Sequence, residues 1–164
     1  MAGHDDFEWA SGVPHRLWRA NQSVHRLVVE ATESLGVTVT QLGICVHLDE
    51  FGHMSASDLA RLFQLTPQSV TTALGRLESL GWVRRLPHPV HKRVIWYEVT
   101  EAGTEAVAEG RARVSAVDQR VRAALAPELL ENLDRILVSL SEIFGSSAQP
   151  SPGPLWPAPL STSR

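Results

Sequence analysis

Cysteine occurs once in this chain of 164 residues, at Cys45, and lysine once, at Lys92. A single thiol excludes an intramolecular disulfide and a cysteine-rich metal site. Long apolar runs are missing too, and none approaches the ~18–20 residues a membrane span needs. The opening residues include Asp5, Asp6 and Glu8 where an export signal would be basic and then apolar, so a cytoplasmic protein is expected. The Gly-rich phosphate loop, the Gly-x-Ser-x-Gly elbow and the His-Glu-x-x-His helix are all absent. An enzyme is therefore not expected, and neither is a catalytic residue, a metal or a cofactor. What remains is ordinary globular composition, 43% hydrophobic and 20% charged, at a length that suits one domain.

The net charge of −3 is unevenly spread. Residues 1–60 hold eight acids and three bases, and residues 101–164 hold eight acids and six bases. Between them Arg61, Arg76, Arg84, Arg85, Lys92 and Arg93 face only Glu78 and Glu98, and His88 and His91 fall in the same block. A local basic surface on an acidic chain is the footprint of a phosphate-contacting module. Charge alone fits a solvated face equally well, so the local sequence has to decide.

Residues 1–13 read as a flexible arm. Leu17, Trp18, Val24, Leu27, Val28 and Ala31 have helical spacing over 14–35, and Gly36 ends that helix. Thr40 to Phe51 is apolar nearly all round, as in a buried helix. Ser55 and Asp58 form an N-terminal cap for a short helix to Phe63. Thr66-Pro67 starts another helix, which runs to Leu80 with Val70, Leu74, Leu77 and Leu80 inward and Gly81 as its left-handed stop. Trp82–Leu86 and Arg93–Val99 are β-rich, and Pro87-His88-Pro89-Val90 between them makes a hairpin. Thr100 caps a helix to about Leu125, and a last helix begins at Pro127 with Leu130, Leu133, Ile136, Leu137, Leu140 and Ile143. Residues 145–164 hold half of the ten prolines and read as a disordered Pro/Ser-rich tail.

Two short helices joined by a turn, followed by a basic hairpin, make a helix-turn-helix with a wing. The outward face of 67–80 carries Gln68, Ser69, Thr71, Thr72, Gly75 and Arg76, with no acid before Glu78. Short polar groups near a helix N-terminus, with an Arg able to grip guanine or phosphate, are what the major groove accepts. An ordinary surface helix carries mixed Glu and Lys. An interaction helix for a protein partner would be apolar or acidic outward, and this face is neither.

The runs Ser55-Ala-Ser-Asp-Leu-Ala-Arg-Leu-Phe, Thr66-Pro-Gln-Ser-Val-Thr-Thr-Ala-Leu-Gly-Arg-Leu-Glu-Ser-Leu-Gly-Trp-Val-Arg-Arg and Val99-Thr-Glu-Ala-Gly resemble the core of the MarR (multiple antibiotic resistance regulator) family. The resemblance covers residues 14–144. It implies a mainly α fold with a small β-hairpin wing: one winged helix-turn-helix over about 37–100, and dimerisation helices over 14–35 and 101–144. It also implies a homodimeric repressor on pseudo-palindromic double-stranded DNA, released by a small, often phenolic or aromatic, ligand. Expected DNA contacts are Ser55, Thr66, Gln68, Ser69, Thr71, Thr72, Arg76, Arg84, Arg85, His91, Lys92 and Arg93. Wings of the family usually carry Asp-x-Arg; here His91-Lys92-Arg93 keeps the minor-groove Arg and replaces the Asp with His91. A protonated His91 would add charge beside DNA and tighten binding at pH 6 relative to pH 8.

Other side chains invite other chemistry. Relatives that sense peroxides use a reactive thiol near the start of the first helix, whereas Cys45 sits among Leu42, Ile44 and Val46 as a buried, inert group. His88 and His91 lack the further ligands of a zinc site. Trp18, His47 and Asp49 are the expected effector-pocket residues, since the second helix floors the family's pocket. A protein-interaction module and a redox- or metal-responsive regulator remain the alternative functions.

Overall fold

The computed structural model describes residues 9–91 and 93–144. Residues 1–8 of the expected arm, Lys92 and the expected tail lie outside the described residues. Six α-helices and three short strands follow one another: α1 (Val13–Thr32), α2 (Val39–Phe51), β1 (Met54–Ser55), α3 (Ala56–Phe63), α4 (Pro67–Ser79), β2 (Val83–Pro87), β3 (Ile95–Val99), α5 (Glu101–Ala123) and α6 (Pro127–Phe144). Single 3-10 turns flank α1 at Trp9–Ser11 and Glu33–Leu35.

The helix ends obey the local chemistry. Thr38 and Gln41 close a reciprocal capping box at α2, with Thr38 Oγ1 accepting from the Gln41 amide at 3.2 Å and Gln41 Oε1 accepting from the Thr38 amide at 2.9 Å. Thr66 Oγ1 accepts from the Ser69 amide at 3.1 Å, and Pro67 takes the first helical position of α4. Helix α4 stops at Ser79, and Gly81 at φ +72 reverses the chain into β2, a conformation L side chains resist. The helix-turn-helix corner places Gln64 at φ +52, where the Leu65 amide donates to the Ala60 carbonyl at 2.9 Å.

Helix α2 is the keel of the core. Leu42, Ile44, Cys45, Val46 and Leu48 are buried, as its unbroken apolar run demands. They pack with Leu59 of α3, Val70, Leu74 and Leu77 of α4, Val83 and Tyr97 of the sheet and Val107 of α5. Each such side chain contributes roughly 1.5–3 kcal/mol of transfer free energy. The α2–α5 contact is close: a Cβ added at Gly110 would stand 2.7 Å from Leu42 Cδ1. The α5 N-terminus is closer still to the β2 entrance, since a Cβ at Gly103 would lie 2.1 Å from the Trp82 carbonyl oxygen.

The hairpin is one element short of the observed sheet. Strand order is β1-β3-β2, antiparallel throughout, with Met54 opposite Tyr97 and Ser55 opposite Trp96. Two residues are too few to show alternation, so the sequence carries no periodic sign of β1. Helix α6 behaves differently from the rest. None of its residues is buried, and Leu129, Ile136, Leu137, Val138, Ile143 and Phe144 are exposed large apolar side chains. Helix α1 likewise leaves Val13, Leu17, Trp18, Val24 and Val29 in the open.

Candidate nucleic-acid interface

Helix α4 divides as its sequence requires. Val70, Ala73, Leu74 and Leu77 are buried, whereas Gln68, Ser69, Thr71, Thr72, Gly75 and Arg76 are exposed. Thr71 Oγ1 donates to the Pro67 carbonyl at 2.8 Å and Thr72 Oγ1 to the Gln68 carbonyl at 3.0 Å. Those bonds use the hydroxyl hydrogens and leave the oxygen lone pairs as acceptors for base amino groups, beside methyls suited to thymine. Ser69 Oγ lies 2.8 Å from Thr66 Oγ1, so the two hydroxyls share one hydrogen bond at the helix start.

Several expected contacts are engaged within the chain. Ser55 is half-buried at the N-terminus of α3: its hydroxyl donates to Asp58 Oδ2 at 2.6 Å and accepts from the Asp58 amide at 3.2 Å. That hydrogen bond is the main cause holding the Asp58 carboxyl below the usual carboxylate range. Ser55 is thus a capping residue before it is anything else. Arg84 stands directly opposite Glu98 in the β2–β3 register and pairs with its carboxylate. Arg85 grips Glu78 with two bonds, Nε to Oε1 at 2.7 Å and Nη2 to Oε2 at 2.8 Å, and lies 5.8 Å over the Tyr97 ring. Arg61 is paired with Asp58. Half of the central basic block is therefore neutralised locally, which a linear count of charges could not reveal.

Arg76 and Arg93 are different. Both are exposed, and among the described residues neither has a carboxylate partner. Arg76 Nη2 donates instead to the Gly36 carbonyl at 3.2 Å, tying the end of α4 to the α1–α2 connection rather than pointing straight away from the core. The hairpin tip turns at His88, whose amide donates to the Val94 carbonyl at 3.2 Å, and the Val94 amide donates to the His91 carbonyl at 2.8 Å.

The expected effector residues do not meet. Trp18 is exposed on α1 beside His15. His47 is buried, its Nδ1–H donating to the Gly43 carbonyl at 2.9 Å and its ring edge-on to Phe63 at 4.9 Å, so it is a satisfied core histidine. Asp49 accepts from Thr104 Oγ1 at 3.1 Å and faces Arg111 of α5 at 3.5 Å. An apolar run leaves no sign of which side of α2 faces what, so these positions could not be read from the sequence. An open cavity of about 600 Å³ lies elsewhere, between α1 (His25, Val29, Thr32), the start of α2 and the Arg76 side chain. None of Trp18, His47 and Asp49 lines it. Burial, reinforced by Asp49, pushes the Cys45 thiol up to about 12, which removes it as a nucleophile at neutral pH.

The described residues hold no group of three or more His, Cys, Asp or Glu arranged for a metal ion, and no helix among them is long and apolar enough to cross a membrane. Comparison with known proteins places the site in context. Residues 35–94 match the MarR family model. An HTH-type transcriptional regulator of Mycobacterium bovis is 30% identical over 120 residues, spanning 71% of this chain and 78% of that protein. The transcriptional repressor MdtR of Bacillus subtilis is 30% identical over 98 residues, spanning 58% of this chain and 63% of its own. A MarR mutant from E. coli solved in complex with operator DNA superposes with a TM-score of 0.68 at 25% identity, covering 78% of this chain and 94% of that one.

Proposed function

The chain belongs to the MarR family of winged-helix transcriptional regulators, which are not enzymes, and from that premise we propose that it is a homodimeric repressor released by a small phenolic or aromatic ligand. The observation that carries this reading is α4, whose exposed face holds Gln68, Ser69, Thr71, Thr72 and Arg76 and no acid from Gln68 to Arg76. Gln68, Ser69, Thr71 and Thr72 read bases in the major groove, and Arg93 on the hairpin enters the adjacent minor groove. The unburied apolar faces of α1 and α6 support a second copy as the covering partner, which gives two reading heads for a two-fold operator.

Arg76 joins recognition to release. It forms one wall of the 600 Å³ cavity and sits on the recognition helix, so an aromatic anion entering that cavity competes with the Gly36 carbonyl for its guanidinium. Movement of Arg76 then shifts the end of α4 against its half-site. The DNA flanking the protein's own gene is the probe: a gel shift over a range of salt should show tight, salt-dependent binding of a dimer. Gln68→Ala and Thr72→Ala should each relax base preference by about 1–3 kcal/mol. Salt-insensitive or sequence-indifferent binding, or a monomer mass by light scattering at micromolar concentration, would refute the reading.

A further inference from the structure

The hairpin tip is organised by His88, a residue the sequence marks only as part of the central basic block. His88 Nδ1 accepts two backbone hydrogen bonds, from the Val90 amide at 3.1 Å and the His91 amide at 3.0 Å. A ring nitrogen that accepts carries no proton, so the imidazole is neutral with its hydrogen on Nε2. The ring is backed by Trp96 of β3 at 4.3 Å between centroids, and half-buried there. Both amides belong to the turn that delivers Arg93, and among the described residues His88 is their acceptor.

We infer that neutral His88 is the positioning residue of the hairpin tip, and that its protonation releases the tip and withdraws Arg93 from DNA. The inference rests on the DNA-binding reading above. Protonation puts a hydrogen on Nδ1, where two N–H donors already converge, so both bonds are lost together. The ordered tip cannot hold the protonated form, and its order is therefore present at high pH and lost as pH falls.

The groups around His88 do not reverse this sign. His91 lies in the same turn with its ring 4.9 Å away, and a charge there opposes a second one on His88. On β3, Trp96 also carries His53, whose ring stacks on the indole at 4.9 Å. His53 Nδ1 is 3.7 Å from Glu98, and that carboxylate is shared with Arg84. The one acid in the cluster is thus already matched by a cation. Arg93 adds only positive charge to the turn.

This sign opposes the simple expectation for His91, in which acid adds a charge and tightens binding. The two are separable by salt dependence. Release of the tip should flatten the slope of log affinity against log salt by about 0.9 at pH 5.5 relative to pH 8, whereas an added phosphate contact steepens it by the same amount. The experiment compares wild type, His88→Asn and His88→Ala. Asn supplies an uncharged acceptor on a short stem that can bond amides two residues on, and it does not titrate in this range. Wild type should lose affinity in acid, His88→Asn should hold its pH 8 affinity throughout, and His88→Ala should match acid-treated wild type at every pH.

Amide resonances of Val90 and His91, followed in the DNA-free protein, provide a second readout. In wild type they should shift with the same midpoint as the affinity loss, and in His88→Asn they should stay constant. Tighter binding of wild type in acid, identical pH profiles for wild type and His88→Asn, or immobile amides would overturn the inference. Failure to bind operator at pH 8 would instead sink the DNA-binding reading and leave the resonance test of His88 standing.

Discussion

Replacing Gly103 by alanine adds one methyl group at the tightest joint in the molecule. Its Cβ would stand 2.1 Å from the Trp82 carbonyl oxygen and 2.6 Å from Val99 Cγ2, where ordinary contact begins near 3.4 Å. Helix α5 must therefore retreat from β2 by about an ångström. That movement strains the Thr100 amide bond to the Trp82 carbonyl, 2.9 Å, and the Thr100 cap on the Gly103 amide, 3.1 Å. Overpacking of this kind costs roughly 1–3 kcal/mol, and a lost cap about 1 more, against a helix-propensity gain of no more than about 1. The net loss is on the order of 1–3 kcal/mol, or roughly 2–12 °C in melting temperature at this chain length. Two other glycines calibrate the result. At Gly110 the added methyl meets the buried Leu42 side chain rather than backbone, so an intermediate loss is expected. At Gly75, exposed on α4 with nothing within 4 Å, alanine should stabilise by about 0.5–1 kcal/mol while perturbing operator binding. Thermal unfolding at one fixed protomer concentration should rank Gly75→Ala highest and Gly103→Ala lowest. A wild-type midpoint for Gly103→Ala would refute the described approach of α5 to Trp82.

Three further outcomes follow from the ion pairs, the cap and the thiol. Glu78→Gln should free Arg85 and steepen the salt dependence of DNA binding by about 0.9 if the released guanidinium reaches a phosphate; an unchanged slope places Arg85 outside the interface. Ser55→Ala should cost about 1 kcal/mol in denaturant unfolding at pH 7 and leave base preference intact, and a change of preference would restore Ser55 as a DNA contact. Because Asp58 is held below the usual range, its contribution is complete above about pH 4 and fades as pH falls through its lowered value. The difference between wild type and Ser55→Ala should therefore shrink in acid. Cys45 should resist thiol reagents in the native protein at pH 8 and react at the rate of unfolding, and rapid native labelling would contradict its burial.

The recognition helix was legible because everything that defines it is local. Thr66-Pro67 starts it, a three-to-four spacing buries Val70, Leu74 and Leu77, and Gly81 ends it. The same holds for the fold class, since α3, α4 and α5 each start at a side-chain cap written in the sequence. What stayed hidden depends on register and on which side of an all-apolar helix faces what. Arg84 pairs with Glu98 only because the hairpin turn sets them opposite one another. Arg85 finds Glu78 across an element boundary, and Arg76 reaches Gly36, 40 residues away in the chain. His88 was seen as a surface or phosphate-contacting imidazole because a side chain that accepts from its own turn leaves no periodic trace.

The joint at Trp82 also decides which elements move as one. One carbonyl receives the Thr100 amide, the Thr100 hydroxyl returns a bond to the Gly81 carbonyl, and Gly103 leaves no slack between them. Helix α4, the hairpin and the first turn of α5 are thereby welded into a single block. On the opposite flank the same block touches the α1–α2 connection through Arg76 and the Gly36 carbonyl, one exposed hydrogen bond that water can replace. A substitution that forces the start of α5 away from Trp82 is therefore expected to displace the hairpin and the end of α4 with it, not α5 alone.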